Sequence, residues 1–359
     1  MNGFTHKTTR RLESIDALRG LAVLLMIEQH LGVWLWKEYH KLFDHTFMLC
    51  FNGLGGFSAP VFITIAGLGC SLLHYRHENT DRTLILRGLV IIFFGYLLNI
   101  LTPSWFSSGS WYVLQMIGLA LILSPFFRRL PSPVLIFLFF AVLVATVCIQ
   151  NSLDTPAKIS SSRMGNVNLP GGVFRLALAE GHFPVFPWLS PFIAGILTGR
   201  WLINKKLRNI LFMGSACLCA GMFLSAFNLL GFEFATEGPM LRACKILPRF
   251  YPALPPIILI LTALVLFSVA AIRLLESKRA FGPFNPLVCL GRSSLTFLII
   301  HVVIFRELSH CLHFWRIFSL GETLSIILVT LTLFAALAVM WQKFNYRFGA
   351  EWLLRKIAG

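Results

Sequence analysis

Long apolar stretches separated by short polar breaks fill this chain from near its start to near its end. They run at about 17–36, 56–75, 85–101, 112–127, 134–150, 184–203, 210–231, 253–274, 293–308 and 321–341. Each is close to the ~20 residues that a helix needs to cross a bilayer. A large soluble core would not call for membrane-length runs along the whole sequence. The pattern predicts an all-α, polytopic membrane protein of about ten transmembrane helices. The third, fourth, fifth and ninth stretches are short, which leaves room for a re-entrant pair or a count of eleven. No internal repeat, low-complexity segment or soluble domain interrupts the series, so 1–359 reads as a single transmembrane domain.

Composition agrees. The chain is 57% hydrophobic and 13% charged, with 34 phenylalanines and a mean hydropathy of +0.75, whereas soluble domains are roughly half apolar and about a quarter charged. The net charge of +16 changes the picture only through its placement. No basic stripe with interleaved aromatics marks a nucleic-acid surface. Instead, most of the Lys and Arg residues fall in alternate short breaks: Arg10 and Arg11, Arg82 and Arg87, Arg128 and Arg129, Lys205 and Lys206, Lys278 and Arg279, Arg355 and Lys356. Positive residues favour the cytoplasmic side, so both termini are expected inside, in a multi-pass protein of the cell (inner) membrane. The two longest external loops are then 151–183 and 232–252, where specificity for a substrate is expected to reside.

The eight cysteines include no CxxC and no Cys/His ligand spacing, and no metal site is expected. Most lie in apolar runs, as packing residues do. Cys50, Cys244 and Cys311 fall near the external loops, where pairing is conceivable but unreadable. Lys7, Arg10 and Arg11 precede the first apolar run, but no A-x-A-like site follows it, so that run reads as a retained span.

The first span carries the chemistry. "SIDALRGLAVLLMIEQH" (14–30) reads as a helix start with Ser14 as cap and Asp16 in the first turn. Eleven residues separate Arg19 from His30, which is three turns plus about 20° at 100° per residue. Both therefore project from one face, roughly 16 Å apart along the axis. Asp16 lies close to that face and can pair with Arg19 at i, i+3; Glu28 points elsewhere. Ionisable groups within a membrane usually face a bundle interior or a wet cavity. The plain alternative is an Arg19 that snorkels and a His30 that bonds between helices.

The segment "RLESIDALRGLAVLLMIEQH" resembles the N-terminal signature of the transmembrane acyltransferase superfamily. That group includes heparan-α-glucosaminide N-acetyltransferase-like proteins and bacterial O-acyltransferases marked by Arg-x10-His. Asp16-x2-Arg19-Gly20 followed by His30 has that spacing. "FSAPVFITIAGLG" (57–69), "FPWLSPFIAGILTGR" (186–200), "LGRSSLTFLIIHVVI" (290–304) and "FGAEWLLRK" (348–356) are similar to further family segments.

The resemblance implies that an acyl group, most simply acetyl, passes from cytoplasmic acetyl-CoA or another acyl-CoA to a sugar or glycan amine or hydroxyl on the far side. On that reading Arg19, with Asp16 and Arg292, handles the CoA phosphates, and His30 is the general base. In the lysosomal branch the position matching His30 is an asparagine, and the catalytic histidine lies in the following loop. Here that loop holds His40, near the branch position, and His45. His30 and His40 are thus the catalytic candidates, and His45, His182 and Glu180 are candidate acceptor contacts. Asn99 and Gln115 read as interhelical hydrogen bonders, His301 as a packing residue in mid-helix within a family-like segment, and Arg87 and Arg200 as snorkelling residues. A transporter or flippase for an anionic or lipid-linked molecule is the alternative, although no two-fold repeat of hydropathy supports it. The oligomeric state, a homodimer included, stays open.

Overall fold

All of these apolar stretches are helical in the computed structural model, which describes residues 12–37, 42–74, 80–230, 238–244, 250–278 and 280–358. Helix makes up 79% of the described residues, and no strand occurs among them. The first half holds α1 (Glu13–Leu35), α2 (Leu42–Gly55), α3 (Ser58–His74), α4 (Thr80–Leu101), α5 (Val113–Arg129) and α6 (Ser132–Ser152). Two short helices, α7 (Ser161–Met164) and α8 (Gly172–Arg175), lead into α9 (Val185–Ile203) and α10 (Leu207–Leu229). The remainder holds α11 (Pro239–Cys244), α12 (Pro255–Lys278), α13 (Pro286–Arg292), α14 (Ser294–Val302), α15 (Ser309–Cys311), α16 (Leu320–Gln342) and α17 (Ala350–Ala358).

Eight helical segments among the described residues are long and apolar enough to cross a membrane. The expected count of about ten includes two more. One is α5, which has 17 residues. The other is α9, which contains Pro191 and a non-helical Phe186 and is buried along nearly all of its length. The segment after the first span, expected as a loop, holds α2. The helix begins at Glu13, and the Ser14 hydroxyl donates to Glu276 of α12 at 2.5 Å instead of capping α1.

Burial sorts the helices. α1 packs against α13, α2, α3, α16 and α12, whereas the spanning windows of α10 and α16 are only 28% buried. Helix α6, "SPVLIFLFFAVLVATVCIQNS", is apolar all round with no charged residue, as lipid contact on one side and protein on the other require. Contacts among the charged ends define two faces. Asp81 pairs with Arg128 and Arg129 at 2.6 Å, Arg200 donates to the Arg128 carbonyl, and Ser14 meets Glu276. These put the start of α1 and α4 and the end of α5, α9 and α12 at one face, here the near face. At the far face the end of α1 is tied to 316–318: Lys37 N–H donates to the Phe318 carbonyl at 2.8 Å, and Phe318 N–H to Leu35 at 3.1 Å.

Where α1 crosses α13 the backbones touch. A Cβ on Gly20 would overlap the carbonyl of Leu287, and one on Gly291 would overlap the carbonyl of Asp16. Without a hydrophobic force between helices in lipid, such small residues are what allow close packing. Gly20→Ala or Gly291→Ala should separate the helices at a cost of about 1–3 kcal/mol, the range for overpacking. Thermal unfolding in detergent should show a lowered midpoint for both. Gly321→Ala, where nothing lies within 4 Å of the added atom, should leave it unchanged.

Candidate active site

Two cavities lie end to end in the bundle. The near one, about 270 Å³, is lined by Arg19 of α1, Arg87 of α4, Glu351 of α17 and apolar residues of α3, α4 and α5. The far one, about 330 Å³, is lined by Gln29 and His30 of α1, by Trp105 and Phe106 of the α4–α5 loop, and by His182 and Tyr251. Phe62, Val113 and Leu298 line both. Arg19 and His30 therefore reach adjoining chambers, as their shared face on α1 predicts.

His30 sits in an aromatic nest. It stacks on Trp34 (4.8 Å, 22°) and meets the edge of Trp105 at 5.2 Å. Its Nδ1 lies 2.8 Å from Nε2 of His301, the closest polar contact across the α1–α14 interface. His301 is fully buried, and its Nδ1 is 2.8 Å from the Phe297 carbonyl one turn earlier. A carbonyl only accepts, so His301 Nδ1 must donate to it. A neutral imidazole then has Nε2 as an acceptor, so His30 Nδ1 donates to His301. The chain of bonds leaves the lone pair of His30 on Nε2, the form a general base requires.

Local structure holds this pair in place. The Glu351 carboxylate of α17 accepts from the backbone N–H groups of Leu295 and Thr296 and from the Thr296 hydroxyl, the last at 2.6 Å. It thereby caps α14, the helix that carries His301, from another part of the chain. A π-turn at Val303–Leu308 follows His301 directly, and a second at Leu176–Glu180 precedes His182. Such turns interrupt helices often at functional sites. Asn99 Nδ2 donates to the Ser110 carbonyl at 2.8 Å, and Gln115 reaches the same carbonyl at 3.4 Å. Both thus anchor the loop that delivers Trp105 and Phe106.

His182 lines the far cavity, and burial pushes its imidazole down to about 4, so it is neutral near pH 7. Its ring packs edge-on against Phe106 at 5.5 Å and Tyr251 at 5.9 Å, and its Nδ1 has no hydrogen-bond partner among the described residues. Glu180 does not line the cavity. It is fully buried and accepts from Thr155 at 2.8 Å, Arg163 at 3.1 Å and Arg175 at 2.8 Å. Burial opposes its ionisation, but these hydrogen bonds outweigh it and hold the carboxyl below the usual carboxylate range.

At the near face, Asp16 sits between Arg19 and Arg292, 3.4 Å from each, and Arg292 also meets Glu13 at 3.6 Å. Of the three residues expected at the CoA phosphates, only Arg19 lines the near cavity; Asp16 and Arg292 brace it. His45 is exposed on α2, its ring 6.3 Å from Trp36, and does not line the far cavity. His40 lies outside the described residues. Cys50 and Cys311 are free and exposed. Among the described residues no group of three His, Cys, Asp or Glu side chains could hold a metal ion.

With this geometry in view, the comparison with known families is informative. The sequence model described as heparan-alpha-glucosaminide N-acetyltransferase, catalytic, matches residues 11–224, more than half of the chain. The chain belongs to this family. No curated protein matches it individually. Membership of the heparan-alpha-glucosaminide N-acetyltransferase family makes the protein a membrane acetyltransferase in general terms, in a family whose donor is acetyl-CoA, and does not favour the transporter alternative. The matched region contains Arg19, His30, Arg87 and His182, whereas His301 and Glu351 lie beyond it.

The roles of two residues of the site escaped the sequence: His301, which bonds His30 from behind, and Arg87, which lines the near cavity. His301 read as a packing residue because its partner is 271 positions away. Arg87 read as snorkelling because a basic residue near a helix end usually does. The available signal was that His301 is, like His30, an imidazole placed deep within an apolar run.

The Glu180 cluster makes a pH-dependent prediction. A depressed native carboxyl stabilises the fold above the unfolded value of ~4.3 and loses that contribution as pH falls through its native value. The 153–182 segment should therefore loosen on acidification below about pH 4, seen as a change in tryptophan fluorescence from Trp105 and Trp111. Glu180→Ala leaves two guanidiniums unpaired and should cost about 3 kcal/mol or more. It should also abolish the acid-dependent step.

Proposed function

We propose that this protein moves an acyl group, most simply acetyl, from cytoplasmic acyl-CoA to a sugar or glycan amine or hydroxyl on the opposite side of the membrane. One observation carries the reading: a basic chamber and a histidine chamber adjoin inside the bundle, with Arg19 lining the first and His30 the second. Arg19 and Arg87 present guanidiniums suited to phosphate or pyrophosphate. The rise of roughly 16 Å between Arg19 and His30 on α1 is about the reach of a pantetheine arm, which brings the thioester past Phe62, Val113 and Leu298 to the imidazole.

The acceptor lies in the far cavity among aromatic rings, with Gln29, His30 and His182 as its polar neighbours. His30 Nε2 takes the proton from the acceptor O–H or N–H as that atom attacks the thioester carbonyl. The tetrahedral intermediate collapses, the C–S bond breaks, and the departing CoA sulfur receives the proton from His30. His301 acts through His30: it fixes the tautomer and the ring plane and favours the imidazolium that forms in between. Of the two catalytic candidates the reading favours His30, because its nitrogen is aimed by a partner. The near face is cytoplasmic, in keeping with the distribution of basic residues, and 151–183 faces outward.

Three measurements test this. A general base contributes about 10²–10⁴-fold, so His30→Ala should lose at least a hundredfold in kcat with acyl-CoA binding kept; a variant that retains a tenth of its turnover sinks the assignment. Replacing His301 by Gln preserves an acceptor for the His30 N–H but not its reach, and a drop in kcat without a rise in donor KM is expected. Arg19→Ala should raise the acyl-CoA KM strongly, and Arg19→Lys should restore it only in part, because the fork is lost. For orientation, a cysteine placed at Ser160 should react with impermeant reagent from outside intact cells.

A further inference from the structure

The loop between α16 and α17 does not belong to either chamber. Together with α17 and Arg292 it encloses a separate polar pocket of about 320 Å³ at the near face, lined by Arg292, Gln342, Asn345, Arg347, Trp352 and Arg355. With Tyr346 the lining comes to seven residues, three of them arginines. Arg292 is balanced by Glu13 and Asp16. Arg347 and Arg355 are exposed, and no carboxylate among the described residues pairs with either; the polar contact of the Arg355 guanidinium is to the Asn345 carbonyl at 3.3 Å. The loop holds its shape against sterics: Asn345 (φ 52°), Tyr346 (φ 52°) and Phe348 (φ 66°) all adopt the left-handed region. Two of them are bulky residues for which that conformation is an outlier, and strain of this kind is retained where surrounding structure enforces it.

What the pocket takes follows from where it lies. On the membrane-spanning α16, Leu333, Leu337 and Met340, continued by Phe344 just past its end, form an exposed apolar stripe at helical spacing. The stripe leads down to the loop that lines the pocket. Phe348 is also exposed, at 87%, and its ring lies 5.5 Å from that of Trp352. An aromatic and apolar rim thus borders a cationic hollow, at the level where a helix leaves the hydrocarbon. The near chamber, by contrast, lies across α17, whose Glu351 and Leu354 line it while Trp352 and Arg355 line the pocket.

We propose that this pocket binds the phosphate of an anionic phospholipid, with the acyl chains along the α16 stripe and the headgroup held by Arg347, Arg355 and Arg292. Arginine forks suit a phosphodiester, and basic pockets between spanning helices at this level recognise anionic headgroups. Occupation would also brace Arg292, which holds Asp16 and, through it, Arg19.

The test uses the full-length protein in nanodiscs of phosphatidylcholine with and without phosphatidylglycerol. Its readouts are lipid retention by native mass spectrometry and the thermal midpoint, neither of which depends on acyl transfer. Phosphatidylglycerol should be retained in preference to phosphatidylcholine and should raise the midpoint by several degrees. The R347Q/R355Q double variant, both positions being exposed, should lower the apparent phosphatidylglycerol affinity roughly tenfold or more; R347K/R355K, which keeps the charge, should retain most of it. Added CoA or inorganic phosphate should affect the wild type and the double variant alike. Equal retention of the two lipids overturns the proposal, as does a double variant that binds phosphatidylglycerol like the wild type. Loss of CoA stabilisation in that variant would also overturn it, by assigning the pocket to the soluble donor.

Discussion

A single hydrogen bond between two imidazoles, His30 on α1 and His301 on α14, organises the far half of this molecule. It joins helices from opposite ends of the sequence in a region where water is scarce, and its direction is dictated by a backbone carbonyl. A pair of this kind is useful only if the rings keep their distance and their planes. Much of the surrounding structure can be understood as meeting that demand. Trp34 lies under His30, Trp105 closes its edge, and Glu351 pins the beginning of α14 from a helix at the near face. The π-turn after Val302 lets the chain bend away without dragging His301 along. Close contact between α1 and α13, where glycines stand in for larger residues, then sets the depth at which α1 presents both Arg19 and His30.

Much of this was legible in the order of residues, and the reasons are local. Arg19 and His30 share a helix face by counting alone, because an α-helix repeats every 3.6 residues and the segment is too apolar to do anything else. The helices themselves were equally plain. What could not be read was anything set by chain contacts distant in sequence. His301 looks like a packing residue until its partner is known. Nothing local to Glu180 announces the three donors that converge on it, and nothing local to Arg292 announces its pairing with Glu13 and Asp16. The surroundings of α9 were hidden for a related reason. Helix α9 is as apolar as its neighbours but is buried by them along nearly all of its length, and hydropathy does not distinguish a buried helix from a lipid-facing one.

Close in sequence to His182, which lines the far cavity, is a cluster of buried ion pairs. Glu180 with Arg163, Arg175 and Thr155 closes a loop of some length over the far cavity and sets His182 at its wall. Such a cluster is indifferent to which small groups occupy the cavity below it. On the proposed reading, acceptor preference can therefore drift through the aromatic lining while the roof stays as it is.

The three residues common to both chambers, Phe62, Val113 and Leu298, have a consequence for the cell that is separate from chemistry. On the proposed reading the two cavities open toward opposite sides of a membrane, and two such cavities are most of an ion channel. A collar made only of apolar side chains denies hydrated ions a continuous file of water, since narrow hydrophobic constrictions dewet. An uncharged, slender chain can thread such a collar where a sodium ion or a proton cannot. On the proposed reading, the acyl-bearing arm passes this collar where ions do not, and the membrane potential on which the cell runs is left intact.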